Sequence, residues 1–205
     1  MVRPADEIVQ RGRGVPEAIN GALALFYVGV NLVQCLVLPL WLLPRGLRWA
    51  WLLLPIVLLT NPFWSLIHEA IHDLLHSHKT VNLFIGRLLA ILFGSPFRIL
   101  RPSHLLHHKL NRMPVEGTEY YDRDKSTKAA AAPGYYFQIL LGLYLVEVIS
   151  PLYFVLPRRW LERFRERYLP AQSVSSILMQ NWLGVESMGE IRRDGALAMS
   201  WLAVA

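Results

Sequence analysis

The sequence predicts an all-α, integral-membrane helical bundle: a transmembrane hairpin, a re-entrant or interfacial helix, a third span and the start of a fourth. A histidine-rich cap on the cytoplasmic side completes the expected fold, and the 205 residues read as a single membrane domain. Three observations lead there. The chain is 54% hydrophobic and only 18% charged, more apolar than a soluble domain of this length. Two apolar runs of spanning length follow each other across a short turn. All seven histidines fall between His68 and His108, just beyond the second run.

Residues 1–20 are polar and mixed in charge, with Arg3, Arg11 and Arg13 set against Asp6, Glu7 and Glu17. The apolar run that follows is too long for a signal-peptide core and no small-residue cleavage site closes it, so this segment reads as a cytoplasmic arm. Gly21–Leu43 is interrupted only by Asn31 and Gln34. At about 1.5 Å per residue it reaches roughly 35 Å, enough for a hydrocarbon core of about 30 Å. Pro44-Arg45-Gly46 makes a turn, and 47–67 is the second run. Trp41, Trp49, Trp51 and Trp64 sit near the run ends, where an aromatic belt belongs. The second helix is expected to continue from Ile67 through His78, carrying the first histidines out of the lipid.

Val81–Phe97 is apolar but short, holds Arg87, and ends in Gly94-Ser95-Pro96. That fits a re-entrant or interfacial helix better than a span. A crossing here would put the two histidine groups on opposite membrane faces. The polar stretch after it completes a histidine region over 68–132. A third span is expected over 133–157 and a mixed-charge connector over 158–194. At Gly195 an apolar run starts a fourth span and reaches only half the needed length by Ala205, so the chain is expected to be C-terminally incomplete.

The formal net charge is +6. In a membrane protein, excess Lys and Arg set topology; with no aromatic-rich basic motif, nucleic acid is not an expected partner. Counting positive charge places 1–20 and 68–132 in the cytoplasm. The arginines from Arg158 to Arg167 then fall on the far side, against the rule; an interfacial reading of 133–157 would bring them inside, but the single span is kept. The lone Cys35 rules out an internal disulfide and a cysteine metal site.

The chemistry lies in two histidine groups. In His68-Glu69-Ala70-Ile71-His72, residues four apart share a helix face with Cβ atoms about 5–6 Å apart, so two imidazoles can converge on one metal. In His104-Leu105-Leu106-His107-His108, His104 faces both later histidines, while His107 and His108 point about 100° apart. That geometry suits two ions side by side. Isolated histidines near an apolar face are usually just hydrogen bonded; five in two tight groups beside membrane runs point to function. Their number exceeds what a catalytic zinc needs and fits iron with open positions.

The HxxxH of His68 and His72 and the HxxHH of His104, His107 and His108, separated by a short apolar segment and preceded by a transmembrane hairpin, resemble the first two histidine boxes of the membrane fatty acid desaturases. The likeness covers the layout of about residues 21–160. It implies that His68, His72, His104, His107 and His108 ligate two iron ions on the cytoplasmic face, where O2 is activated and hydrogens are removed from a fatty acyl lipid. Glu69 and Asp73 would orient the ligating imidazoles, as such ligands usually require. His76 would ligate or support, with a supporting or solvated role the stronger reading. Glu119 and Asp122 resemble the acidic stretch after the second box, or belong to a solvated loop. The resemblance also implies membrane lipids as surroundings and a separate electron donor of ferredoxin or cytochrome type. The family's third box, after a further span, has no counterpart here, so the chain alone is not expected to form the whole di-iron site or to be active.

Three rivals remain. The same boxes serve di-iron hydroxylases, alkane oxygenases and carotenoid oxygenases. His68-Glu69-Ala70-Ile71-His72 is also a literal HExxH, the zinc metalloprotease signature, with Asp194 as a distant third ligand; that leaves the second histidine group unexplained. The last rival is an inactive truncated remnant.

Overall fold

The computed structural model describes residues 14–110, 113, 124, 126–137, 155–169, 171 and 173–204. Among them every regular element is helical. Among the described residues one helix, Glu17–Arg45, is long and apolar enough to cross a membrane; counting each of two broken helix pairs as one span gives up to three. The chain divides into two compact units, between Leu89 and Ala90.

In the first unit, α1 (Glu17–Leu32) continues as a π-helical segment, Val33–Leu42, and a last 3-10 turn, Leu43–Arg45. Pro39 lies within the π segment; it has no N–H to give an ordinary helix, and the wider turn accommodates it. Asn20, Ala24, Tyr27, Asn31, Cys35 and Leu38 form the buried stripe, at the three- and four-residue spacing of one helix face. Asn31 satisfies its buried amide locally, donating to the Tyr27 carbonyl at 3.0 Å. Gly46 turns the chain at φ 149°, in the region that favours glycine.

After a 3-10 stretch, Leu47–Leu52, α2 runs from Leu53 to Ile71. It packs on α1, with Tyr27 stacked on Phe63 at 5.2 Å. Phe63, Leu66, Ile67, Ala70 and Ile71 are its buried face. Trp41 and Trp51 are exposed at the hairpin end, Arg45 lying over the Trp41 ring.

The expected helical continuation to His78 does not form. α2 stops at Ile71, with His72 as its C-cap. Asp73 takes φ 60°, the Leu74 amide donates back to Glu69 at 2.8 Å, and the Asp73 amide to Ala70 at 3.3 Å. This pair of bonds around a left-handed residue is the Schellman ending. Aspartate fills the place usually taken by glycine, which its short polar side chain tolerates.

α3 (Lys79–Phe93) crosses the division between the units and covers most of the segment expected to be re-entrant. Gly94 follows it at φ 94°, and a Cβ there would stand 3.2 Å from Leu202 Cδ1. In the second unit, α4 (Phe97–Leu110) bears the second histidine group. α5 (Lys128–Phe137) contains the described start of the expected third span; residues 138–154 of that span, and residues 1–13 of the arm, lie outside the described residues. The expected connector is largely helical: α6 (Arg158–Tyr168), α7 (Val174–Trp182) and the first half of α8 (Val185–Val204). The apolar run from Gly195 forms the second half of α8. α8 packs on α4 and α7, and α4 on α7. Ile99, Leu161, Met179, Leu183, Met188 and Ile191 make the core, with Trp182 and Leu169 against it. At its edge Arg98 pairs with Glu190 at 2.8 Å.

Candidate metal centre

His68 stands in the last turn of α2 and His72 caps it. Although the helix ends between them, His72 at φ −86° and ψ 6° keeps the four-residue spacing, and the rings lie 4.5 Å apart between centroids. Glu69 Oε1 is 3.8 Å from His68 Nδ1, beside the ring but beyond hydrogen-bond length.

The loop after His72 is held by three side chains from two helices. Asn82, on α3, is fully buried. Its amide nitrogen donates to the Ala70 carbonyl at 2.8 Å and to Asp73 Oδ1 at 3.2 Å. Its carbonyl accepts the Leu75 and His76 amides at 3.1 and 3.2 Å. One side chain thereby satisfies groups on both sides of the Schellman turn, where an unpartnered buried amide would cost about 1–3 kcal/mol. From α1, Asn20 donates to the Leu74 and Leu75 carbonyls at 3.2 and 2.9 Å. Glu17 accepts from the Ser77 amide at 3.0 Å and from its hydroxyl.

His76 lies in this loop. Its Nδ1 accepts the His78 amide at 2.9 Å and stands 3.6 Å from Glu17. Asp73 is engaged by Asn82 and contributes its left-handed backbone.

The second group occupies the last two turns of α4. His104 and His108 are one turn apart, with ring centroids at 4.5 Å and their Nε2 atoms 2.8 Å apart. His107 is offset, its ring 6.3 Å from His104 and 5.9 Å from His108. Two nitrogens each about 2.0–2.1 Å from one ion stand close to 3 Å apart when they occupy adjacent positions. The His104–His108 pair already has that separation, so this donor set fits a metal. Each pair, His68 with His72 and His104 with His108, offers two ring nitrogens to an ion. Glu119 and Asp122 lie outside the described residues.

Sequence reading found the histidines by their spacing and missed Asn82, Asn20 and Glu17. The available signal was an amide at position 82 in an apolar run that otherwise carries Arg87.

A family model described as fatty acid desaturase matches residues 47–186, more than half of the chain. The matched region contains both histidine groups and, of the second unit's core, Ile99, Leu161, Met179 and Leu183. The chain belongs to the fatty acid desaturase family. No curated protein and no solved structure matches it. A helical membrane protein with paired, metal-competent histidines is what family, fold and site together define.

Proposed function

We propose that the protein is an oxygen-dependent fatty acyl lipid desaturase of the membrane, acting at the cytoplasmic face. The observation that carries this is the pairing of imidazoles at four-residue spacing in both histidine groups, within a chain of the desaturase family. His68, His72, His104, His107 and His108 would contribute ligands to two iron ions. Their all-nitrogen character suits iron that must keep positions open, and the offset of His107 from the His104–His108 pair suits a second ion. When bound, the irons supply the reduction of O2 that removes two hydrogens from a saturated acyl segment. Overall, one –CH2–CH2– unit, O2, two electrons and two protons give one –CH=CH– unit and two waters. The electrons come from a separate ferredoxin- or cytochrome-type donor.

The protein's own part is positioning. The Schellman ending sets His72 against His68, and Asn82 holds that ending in place. Glu69 stands beside the His68 ring, where a carboxylate can fix an imidazole's orientation. The metalloprotease reading uses His68, Glu69 and His72 but leaves the second group without a role.

The test is iron content and product analysis of the full-length protein in membranes supplied with an electron donor. Two irons per chain and an unsaturated acyl product are expected, both lost in His72→Ala. An alcohol product would move the protein to the hydroxylases. Zinc in place of iron, or turnover that survives His72→Ala, would sink the proposal.

A further inference from the structure

Helix α6 takes no part in the histidine pairs, yet its side chains are sorted around its axis. At about 100° per residue, Trp160, Phe164 and Tyr168 stand within about 80° of one another, one on each successive turn. All three are exposed, at 56, 42 and 63%. Arg163 and Arg167 flank this aromatic stripe on one side, Arg165 and Arg158 on the other. Glu162 and Glu166 lie nearly opposite it, about 160° from its centre. Arg167 rests over the Tyr168 ring at 5.8 Å. Leu161, at the edge of the stripe, is fully buried in the core of the second unit and fixes the helix rotation.

We propose that α6 is an interfacial helix that seats Trp160, Phe164 and Tyr168 at the headgroup–acyl boundary of an anionic bilayer. Three aromatic rings in a row facing water would be a lasting expense; at the boundary they find an apolar body and a wet edge together. On the Arg163 and Arg167 flank the guanidinium groups reach phosphates while their stems lie along the apolar side; on the other flank Arg158 pairs with Glu162 at 2.8 Å and Arg165 with Glu166 at 3.7 Å. The acids point away from the surface that would repel them. An acidic protein partner would also attract the flanking arginines, but it gives no reason for an unbroken aromatic stripe beside them; a lipid surface does.

The experiment uses the full-length protein with Cys35→Ser, which removes the single cysteine, in nanodiscs of mixed zwitterionic and anionic lipid. An environment-sensitive fluorophore is placed at Phe164→Cys or at Glu166→Cys. The label at 164 is expected to be blue-shifted and quenched several-fold more by headgroup-proximal nitroxide lipid than the label at 166. Purely zwitterionic discs, or added Arg163→Gln and Arg167→Gln, should cut that quenching by about half or more. Tyr168→Cys reads the same face if the first variant fails to fold. Equal quenching at 164 and 166 overturns the proposal, as does indifference to lipid charge. So does protection at 164 that arises only when a soluble acidic protein is added.

Discussion

The Asn82 side chain donates to the Ala70 carbonyl at 2.8 Å and accepts the His76 amide at 3.2 Å, so one buried amide bridges the end of α2 and the loop beyond it. Asn82→Leu removes both functions within a closed space. Each stranded buried group costs about 1–3 kcal/mol, so a loss of several kcal/mol is expected. Asn82→Asp keeps an acceptor but sets a buried carboxylate against the Ala70 carbonyl and the Asp73 carboxylate, so it too should be destabilised. Thermal unfolding in detergent measures both; a leucine variant that melts with the wild type would contradict the assigned role.

Asp73 offers a backbone and a carboxylate, and two substitutions separate them. Asp73→Gly keeps the left-handed turn at φ 60°, whereas Asp73→Ala strains it by about 1–2 kcal/mol. If the turn is what positions His72, metal content should drop in the alanine variant and stay near wild type in the glycine variant. Equal losses in both would instead assign the role to the carboxylate.

The histidines should not behave alike. His68→Ala and His104→Ala each remove half of a pair and are expected to lower bound iron to a small fraction of the wild-type content. His76→Ala breaks the contact with the His78 amide and should leave most of the iron in place. Metal analysis of the three purified variants decides; iron lost equally from His76→Ala would make it a ligand.

Leu161→Ala opens a cavity in the core of the second unit, where Leu161 is fully buried. A loss of about 2–5 kcal/mol is the usual range for such a truncation. Hydrogen exchange should rise in α7 and in the first half of α8. A change confined to α6 itself would show that the core does not depend on this residue.

Much of this was legible in the sequence because two strong rules apply. Lipid demands long apolar runs, so α1 and α2 announce themselves between 21 and 67. Metal ligation demands side chains one turn apart, so His68 with His72 and His104 with His108 stand out by spacing alone. What stayed hidden depends on weaker or non-local signals. The stop at Ile71 uses aspartate where glycine would have marked it. Asn82 reads as an ordinary polar interruption until the chain folds back and gives it four partners. The helices between 158 and 204 were obscured because their charge is high, while the apolar residues that build their core, such as Leu161, Met179 and Ile191, are spread thinly through it.

Gly94 is restricted on two independent counts, its φ of 94° and the approach of Leu202 to where a Cβ would be. If position 94 were randomised and the population selected for folded protein, glycine would return nearly alone. Leu202 sets the second of these restrictions, so shortening it to alanine would lift the crowding and leave only the backbone bias. The survivors should then broaden first toward asparagine and aspartate, the residues that best tolerate a left-handed backbone.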